Sequence, residues 1–302
     1  MSWALDTTTE AESLAATLAA SVEDRPAAAE PRSEVATRIG RYVVLGTLGA
    51  GGMGVVYAAY DPELDRKVAI KVLGSRGARG RAHERLLREA QALARLAHPN
   101  VVAVHDVGTH EGRVFVAMEF IAGVTLSEAI AARRASVDEI VRLYRAAGEG
   151  LAAAHRAGLV HRDFKPDNVM VDEEGRVRVV DFGLALAIAE ITQVDEPGSA
   201  GAGLARNLTA TGVLMGTPAY MAPEQHLGGR TDARTDVFAF CVALYEHLYG
   251  ERPFAGETVV SLAASVLAGR IREAPRGARV PPRLRRLLLR GLARAPEERY
   301  PS

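Results

Sequence analysis

A chain of 302 residues with 37 basic and 37 acidic side chains is long enough for one large domain or two ordinary ones, and its balanced charge gives no field toward nucleic acid or an anionic membrane. The one cysteine, Cys241, excludes an internal disulfide and a cysteine-based metal cluster and fits a reducing cytosolic setting. No run of about 18 apolar residues is present to span a bilayer, and an N-terminus carrying Asp6, Glu10 and Glu12 lacks the basic start and apolar core of a secretory signal.

Residues 1–40 are rich in Ala, Thr, Ser and Glu, are interrupted by Pro26 and Pro31, and read as a mobile tail in which "SLAATLAA" (13–20) forms at most a transient helix. From Arg41 onward the β-branched runs "YVVLGTLG", "GVVYAAYD" and "KVAIKVL", separated by Gly-rich and Asp-Pro turns, predict an antiparallel meander. "RAHERLLREAQALARLA" (81–97) has helical spacing, with Leu86, Glu89, Leu93 and Leu96 on its inward side, and is ended by His98-Pro99-Asn100. "NVVAVHDVGTHEGRVFVAMEFI" returns to strand around a turn at "HEGR". After Gly123 the pattern is mainly helical: "TLSEAIAAR", "SVDEIVRLYRAAGEGLAAAHRAG", "RTDVFAFCVALYEHLYG", "VVSLAASVLAG" and "PRLRRLLLRGLAR". The expected architecture is therefore α+β, with a small β-rich lobe over 41–121, a larger helical lobe over 122–302, and a cleft at their junction.

Three stretches carry chemistry. "LGAGGMGVVY" places Gly49, Gly51 and Gly54 in a G-x-G-x-x-G pattern before Val56, but the residues that follow read as a second strand. A phosphate would then lie under a hairpin tip, cradled by backbone N–H groups, and not at the helix N-terminus of a dinucleotide fold. No Gly-Lys-Ser/Thr follows, so it is not a Walker A loop either. In "KVAIKVL", Val68, Ile70 and Val72 share one strand face, and Lys71 shares the other with Ala69 and Leu73. A lysine among apolar neighbours either snorkels or serves a partner; here it is read as pointing at phosphates and pairing with Glu89, Glu84 lying nearer the helix start. Finally, "LVHRDFKPDNVMVDEEGRVRVVDFG" (159–183) gathers Asp163, Lys165, Asn168 and Asp181 around a turn and a hairpin. Oxygen donors beside a lysine suit a hard divalent cation and a phosphate, whereas either "HRD" or "DFG" alone reads as an ordinary polar loop.

With "GAGGMGVV", "VAIK", Glu89, "HRDFKPDN", "DFG", "GTPAYMAPE" and "TDVFAFCVALYE" in register, the sequence from about Tyr42 to Ser302 resembles the eukaryotic-type (Hanks-type) serine/threonine protein kinases, bacterial branch. The resemblance implies a bilobal protein-kinase-like fold, a domain over 41–302, and ATP with Mg²⁺, Mn²⁺ being an alternative ion. It implies that Asp163 accepts or orients the substrate hydroxyl proton, that Lys165 neutralises the transferring phosphoryl group, that Lys71 is held by Glu89, and that Asn168 and Asp181 hold the metal. Adenine would lie between Val56 and Ala69 above and Met170 below, with Met118 behind and the backbone from Glu119 to Ile121 supplying hydrogen bonds; Leu48 belongs to the same site with Gly49, Gly51 and Gly54. His161 is assigned to packing, in a column with Phe182 and Leu93. Lys165-Pro166 and Thr217 resemble the Ser/Thr-specific pattern, so the partners are protein substrates with Ser or Thr acceptors.

The long Gly- and Ala-rich stretch between Asp181 and Glu224 reads as an activation loop. Thr209 and Thr211 are the expected autophosphorylation sites, reached in trans by self-association, with Arg162 to receive the phosphate. The resemblance also implies that Asp236 braces the catalytic loop, that Glu224 pairs with Arg299, and that Cys241 is a buried small residue. The chain closes on "ERYPS", where the family continues into a final helix, so the lobe is expected to lack that helix and any membrane attachment beyond it. The rival to an active cytoplasmic kinase is a pseudokinase-like nucleotide-binding interaction module; an oxidoreductase is excluded because the glycine loop leads into a strand.

Overall fold

Alternating β-branched residues build a six-stranded antiparallel sheet at the start of the folded chain. In the computed structural model, which describes residues 38–51, 54–73, 81–182 and 218–302, its strands are β1 (Arg38–Ile39), β2 (Tyr42–Gly51), β3 (Gly54–Asp61), β4 (Arg66–Leu73), β5 (Val104–His110) and β6 (Arg113–Glu119), in the order β1-β2-β3-β4-β6-β5. The proposed loop sites Thr209, Thr211 and Thr217 fall outside the described residues. The two faces of β4 divide as the alternation predicts: Val68, Ile70 and Val72 pack with Ile39, Tyr42 and Phe115, while Ala69 and Leu73 pack with Val116, Met118 and the helix residues Leu86 and Ala90. Among the described residues, that helix, α1 (Arg81–Ala94), is the one inserted between strands of the sheet.

β1 lies within the stretch read as tail. Arg38 pairs with Val43 and Ile39 with Tyr42 around Gly40, and Ile39 is buried, so strand pairing is already present before Arg41. A single apolar residue between Arg38 and Gly40 has no periodicity to betray it; its strand character comes from the partner.

The helical lobe contains a three-stranded sheet, β7 (Gly123–Thr125), β8 (Val169–Asp172) and β9 (Val177–Val179), with helices α2 (Leu126–Arg133), α3 (Val137–Arg156), a short α4 (Pro223–His226), α5 (Ala233–Tyr249), α6 (Val259–Leu267) and α7 (Pro282–Gly291). Thr125 with Glu128 and Ser136 with Glu139 form capping boxes that start α2 and α3, and left-handed Gly250 stops α5. Leu143, Tyr144 and Leu151 of α3 and Phe238, Val242 and Tyr245 of α5 belong to one buried cluster, which also takes in Leu93 of α1. Because Leu86 belongs to the sheet's own cluster, α1 is packed into both lobes. A Cβ on Gly291 would lie 2.2 Å from the Cys241 Sγ, so this close crossing of α7 on α5 requires glycine. Burial pushes the Cys241 thiol up to about 12, which leaves it unreactive.

Arg299 fastens the end of the lobe. Its Nη1 and Nη2 donate to Glu224 Oε1 and Oε2 at 2.8 and 2.9 Å, its remaining donors reach the carbonyls of Arg234, Ala293 and Arg294, and its guanidinium lies 4.9 Å from the Phe238 ring centroid. Burial alone would raise the Glu224 carboxyl, but the Arg299 hydrogen bonds and charge hold it below the usual carboxylate range. Removing one partner of such a buried pair leaves a charge uncompensated, so Arg299→Met is expected to destabilise the protein by about 3–5 kcal/mol in denaturant unfolding. A loss below about 1 kcal/mol, the value typical of an exposed pair, would contradict this reading.

Candidate active site

Asp236, in the first turn of α5, has no exposed surface. Its carboxylate accepts the His161 and Arg162 backbone N–H groups, each at 2.7 Å, and the His155 Nε2–H at 2.8 Å. Gln225 donates to the Arg162 carbonyl at 2.7 Å. Between these ties Arg162 is held at φ 65°, a left-handed conformation that costs a non-glycine residue on the order of 1–3 kcal/mol. The turn thus directed carries Asp163 into the cleft.

His161 is fully buried, with its ring 4.8 Å from that of Phe182 and 5.9 Å from that of Phe164. Its Nδ1 accepts the Asp163 N–H at 3.3 Å, which makes Nε2 the donor to the Val180 carbonyl at 2.9 Å. Both nitrogens are engaged in holding two chain segments together. Pro166–Asn168 forms a 3₁₀ turn, and Asn168 Nδ2 donates to the Asp163 carbonyl at 2.8 Å. That bond orients the amide and leaves its oxygen as a cation donor. Lys165 Nζ lies 3.7 Å from Asp163 Oδ2.

Across the cleft Lys71 Nζ meets Asp181 Oδ2 at 3.0 Å, with the lysine side chain only 6% exposed and Asp181 at φ 62°. Asp181 is thus a partner of Lys71 that the sequence reading did not assign.

The glycine pattern forms the expected hairpin: Gly49 pairs with Val56 and Gly51 with Gly54, so the chain runs strand to strand. Gly54 has φ 132°, and a Cβ there would lie 2.0 Å from the Val72 carbonyl oxygen. Leu48 is exposed, Val56 lies opposite Lys71, and Ala69 lies opposite Met118, both of the latter buried. Met170 comes from β8 in the other lobe, and Ile121 packs against the cluster of Ala69 and Met118. For a metal, the described residues contain no group of three or more His, Cys, Asp or Glu. The Asn168 oxygen with Asp181 suits an ion such as Mg²⁺, which takes one or two carboxylates and fills its remaining positions with water and substrate phosphate.

The family described as "Protein kinase domain" matches residues 42–301. The chain belongs to the protein kinase domain family. It is 40% identical over 266 residues to the serine/threonine-protein kinase PknL of Mycobacterium tuberculosis, covering 86% of this chain and 62% of that protein. It is 35% identical to PrkC of Bacillus subtilis over 86% of this chain and 38% of that one. The crystal structure of the Mycobacterium tuberculosis PknI kinase domain superposes with a TM-score of 0.62 at 27% identity, over 88% of this chain and 94% of that chain. This kinase domain thus spans about three fifths or less of the curated relatives named here. Among the described residues no helix is long and apolar enough to cross a membrane.

The sequence reading missed several groups at the site. His155 acts through the Asp236 carboxylate and Gln225 through the Arg162 carbonyl, for which a single sequence offers no signal. Asp172, Arg176 and Arg178 surround the β8–β9 turn: Asp172 accepts the Arg176 and Glu174 N–H groups and the side chains of Arg176 (2.7 Å) and Arg178 (3.0 Å). Alternate arginines beside an aspartate were the available hint. Burial would raise the Asp172 carboxyl, yet these hydrogen bonds bring it down to about 2. A depressed folded-state pKa adds stability above the unfolded value of about 3.9, and that stability is lost as pH falls toward the folded one. Asp172→Asn should therefore lower the thermal midpoint at pH 7, with the difference from wild type shrinking between about pH 5 and 3. A difference constant across that range would contradict the assignment.

Proposed function

We propose that this domain transfers the γ-phosphoryl group of ATP to Ser or Thr hydroxyls of protein substrates. The observation that carries the reading is that Asp163, Lys165 and Asn168 lie on a loop fixed by Asp236, that the Asn168 carbonyl accepts the Val180 N–H beside Asp181, and that Asp181 meets Lys71 of the upper lobe across the cleft. The Ser/Thr acceptor class is carried over from the relatives' names and from Lys165-Pro166.

When bound, ATP with Mg²⁺ supplies the phosphoryl group and much of the charge that neutralises it, with Mn²⁺ able to take the same oxygen donors. The protein's part is placement and electrostatics, which is where phosphoryl transfer needs help. Asp163 receives the proton of the acceptor hydroxyl, and Lys165 lies close enough to Asp163 to stabilise charge beside it. The Asn168 oxygen and Asp181 form the metal-facing side, and Lys71 is the cation aimed at the phosphates. In this reading Val56 and Ala69 roof the adenine, Met170 floors it and Met118 closes the rear. The Glu119 N–H is spent on the Ala103 carbonyl at 2.9 Å, so the hinge donor is the Ile121 N–H. Glu89, on the inward side of α1, is the acid that holds Lys71 in this reading. Arg162, beside Asp163, receives a phosphate placed on Thr209 or Thr211 by a second copy of the kinase, and the reaction belongs in the cytoplasm.

The test is transfer of labelled γ-phosphate from Mg·ATP to the protein and to a generic basic substrate. Asp163→Asn should lower transfer by about 10²- to 10⁴-fold while ATP affinity stays within a few-fold, and wild-type label should map to Thr209 or Thr211. ATP binding by a wild type that transfers nothing would favour the interaction-module alternative.

A further inference from the structure

A second ion pair crosses between the lobes on the hinge side. Arg178 of β9 donates Nε to Glu119 Oε2 at 3.0 Å and Nη1 to Asp172 Oδ2 at 3.0 Å, with a side chain only 13% exposed. Glu119 is the last residue of β6 in the upper sheet, whereas Arg178 and Asp172 belong to the lower one. The covalent connection between the sheets is the short stretch 120–122, so this contact stands beside the hinge as a non-covalent link.

The register gives the link a target. Arg178 lies directly opposite Met170 in the β8–β9 pair, and residues opposite one another project from the same face. Arg178 thus flanks the proposed adenine floor, and it lies three residues before Asp181, the partner of Lys71. On the lower side the guanidinium is firmly based, because Asp172 is held in place by two backbone N–H groups and by Arg176. On the upper side Glu119 is 32% exposed, so its pair with Arg178 is open to screening by salt.

We infer that Glu119, Arg178 and Asp172 form an electrostatic latch across the hinge, and that Arg178 is a positioning residue for nucleotide binding. This rests on the reading of the cleft as an ATP site. With the latch closed, the roof at Val56 and Ala69 and the floor at Met170 keep one separation, and adenine is held on both faces. With the latch broken the hinge opens more often, so bound nucleotide leaves sooner. A purely structural role for Arg178 would lower stability without a nucleotide-specific or salt-dependent effect on dissociation.

The experiment is Mg·ADP binding by calorimetry and ADP release by stopped flow, at low and high NaCl, for wild type, Arg178→Met, Glu119→Gln and the double variant. Each single change should raise the ADP Kd by roughly 2- to 5-fold at low salt, through faster release, as expected for a partly exposed ion pair. The double variant should be no weaker than the weaker single variant, and the wild-type advantage should fade at high salt. Glu119→Gln, at the more exposed end, keeps the test decisive if Arg178→Met folds poorly. Unchanged ADP binding in a folded Glu119→Gln, or additive effects in the double variant, would overturn the latch while leaving the nucleotide site intact. Failure of the wild type to bind Mg·ADP would overturn both.

Discussion

Asp236 is a carboxylate removed from water, and three donors meet it: the N–H groups of His161 and Arg162 and the imidazole of His155. A buried charge is tolerated only when so matched, and here the matching has a geometric result. Two consecutive backbone N–H groups aimed at one carboxylate oblige the chain to turn, and the turn delivers Asp163 to the cleft. Arg162 is held in its left-handed conformation by the same bonds. Asn168 then reads the position of Asp163 through its carbonyl, and the Val180 N–H bonds to the Asn168 carbonyl, so the geometry passes on to the segment carrying Asp181. The proposed proton acceptor and both residues proposed to face a metal derive their placement from one aspartate on α5.

The sheet lobe supplies the other half of the site by a different physical route. Period-two alternation puts Lys71 on the face of β4 that meets α1 and the cleft, and the backbone pairing of β2 with β3 sets the glycine turn above it. The halves meet through charge, at Lys71 with Asp181 and at Glu119 with Arg178, and through the apolar face of α1, whose Leu86 and Leu93 belong to different clusters. Contacts of this kind can be broken singly without unfolding either lobe, as expected of a cleft that must admit and release a ligand.

Much of this was legible in the chain because it is encoded locally. The strand faces of "KVAIKVL", the turn at "HEGR", the helical spacing of 81–97 and the hairpin reading of the glycine loop each follow from residues within a few positions of one another. The long-range ties of Asp236 and of Glu224 with Arg299 were legible only through the family resemblance, since no local pattern links residue 224 to residue 299. What stayed hidden depends on pairing between distant segments. β1 exists because Tyr42 and Val43 give Arg38 and Ile39 a partner. The pairing of Lys71 with Asp181 joins residues 110 positions apart in different lobes, and no local pattern announces it. Arg178 drew no reading from the sequence, and its reach to Glu119 appears only when the two sheets are brought together.

The dependence of the site on Asp236 is tested most directly by the single-turnover rate of phosphoryl transfer in Asp236→Asn at saturating Mg·ATP. The substitution keeps the size of the side chain but turns one acceptor into an NH₂ group facing a backbone N–H. The account predicts a fall of about 10²-fold or more, the scale expected when a reacting group is misplaced by roughly an ångström, with ATP affinity changed by no more than a few-fold. A folded variant that transfers phosphate at the wild-type rate would show that Asp163 holds its position without Asp236, and would contradict the account.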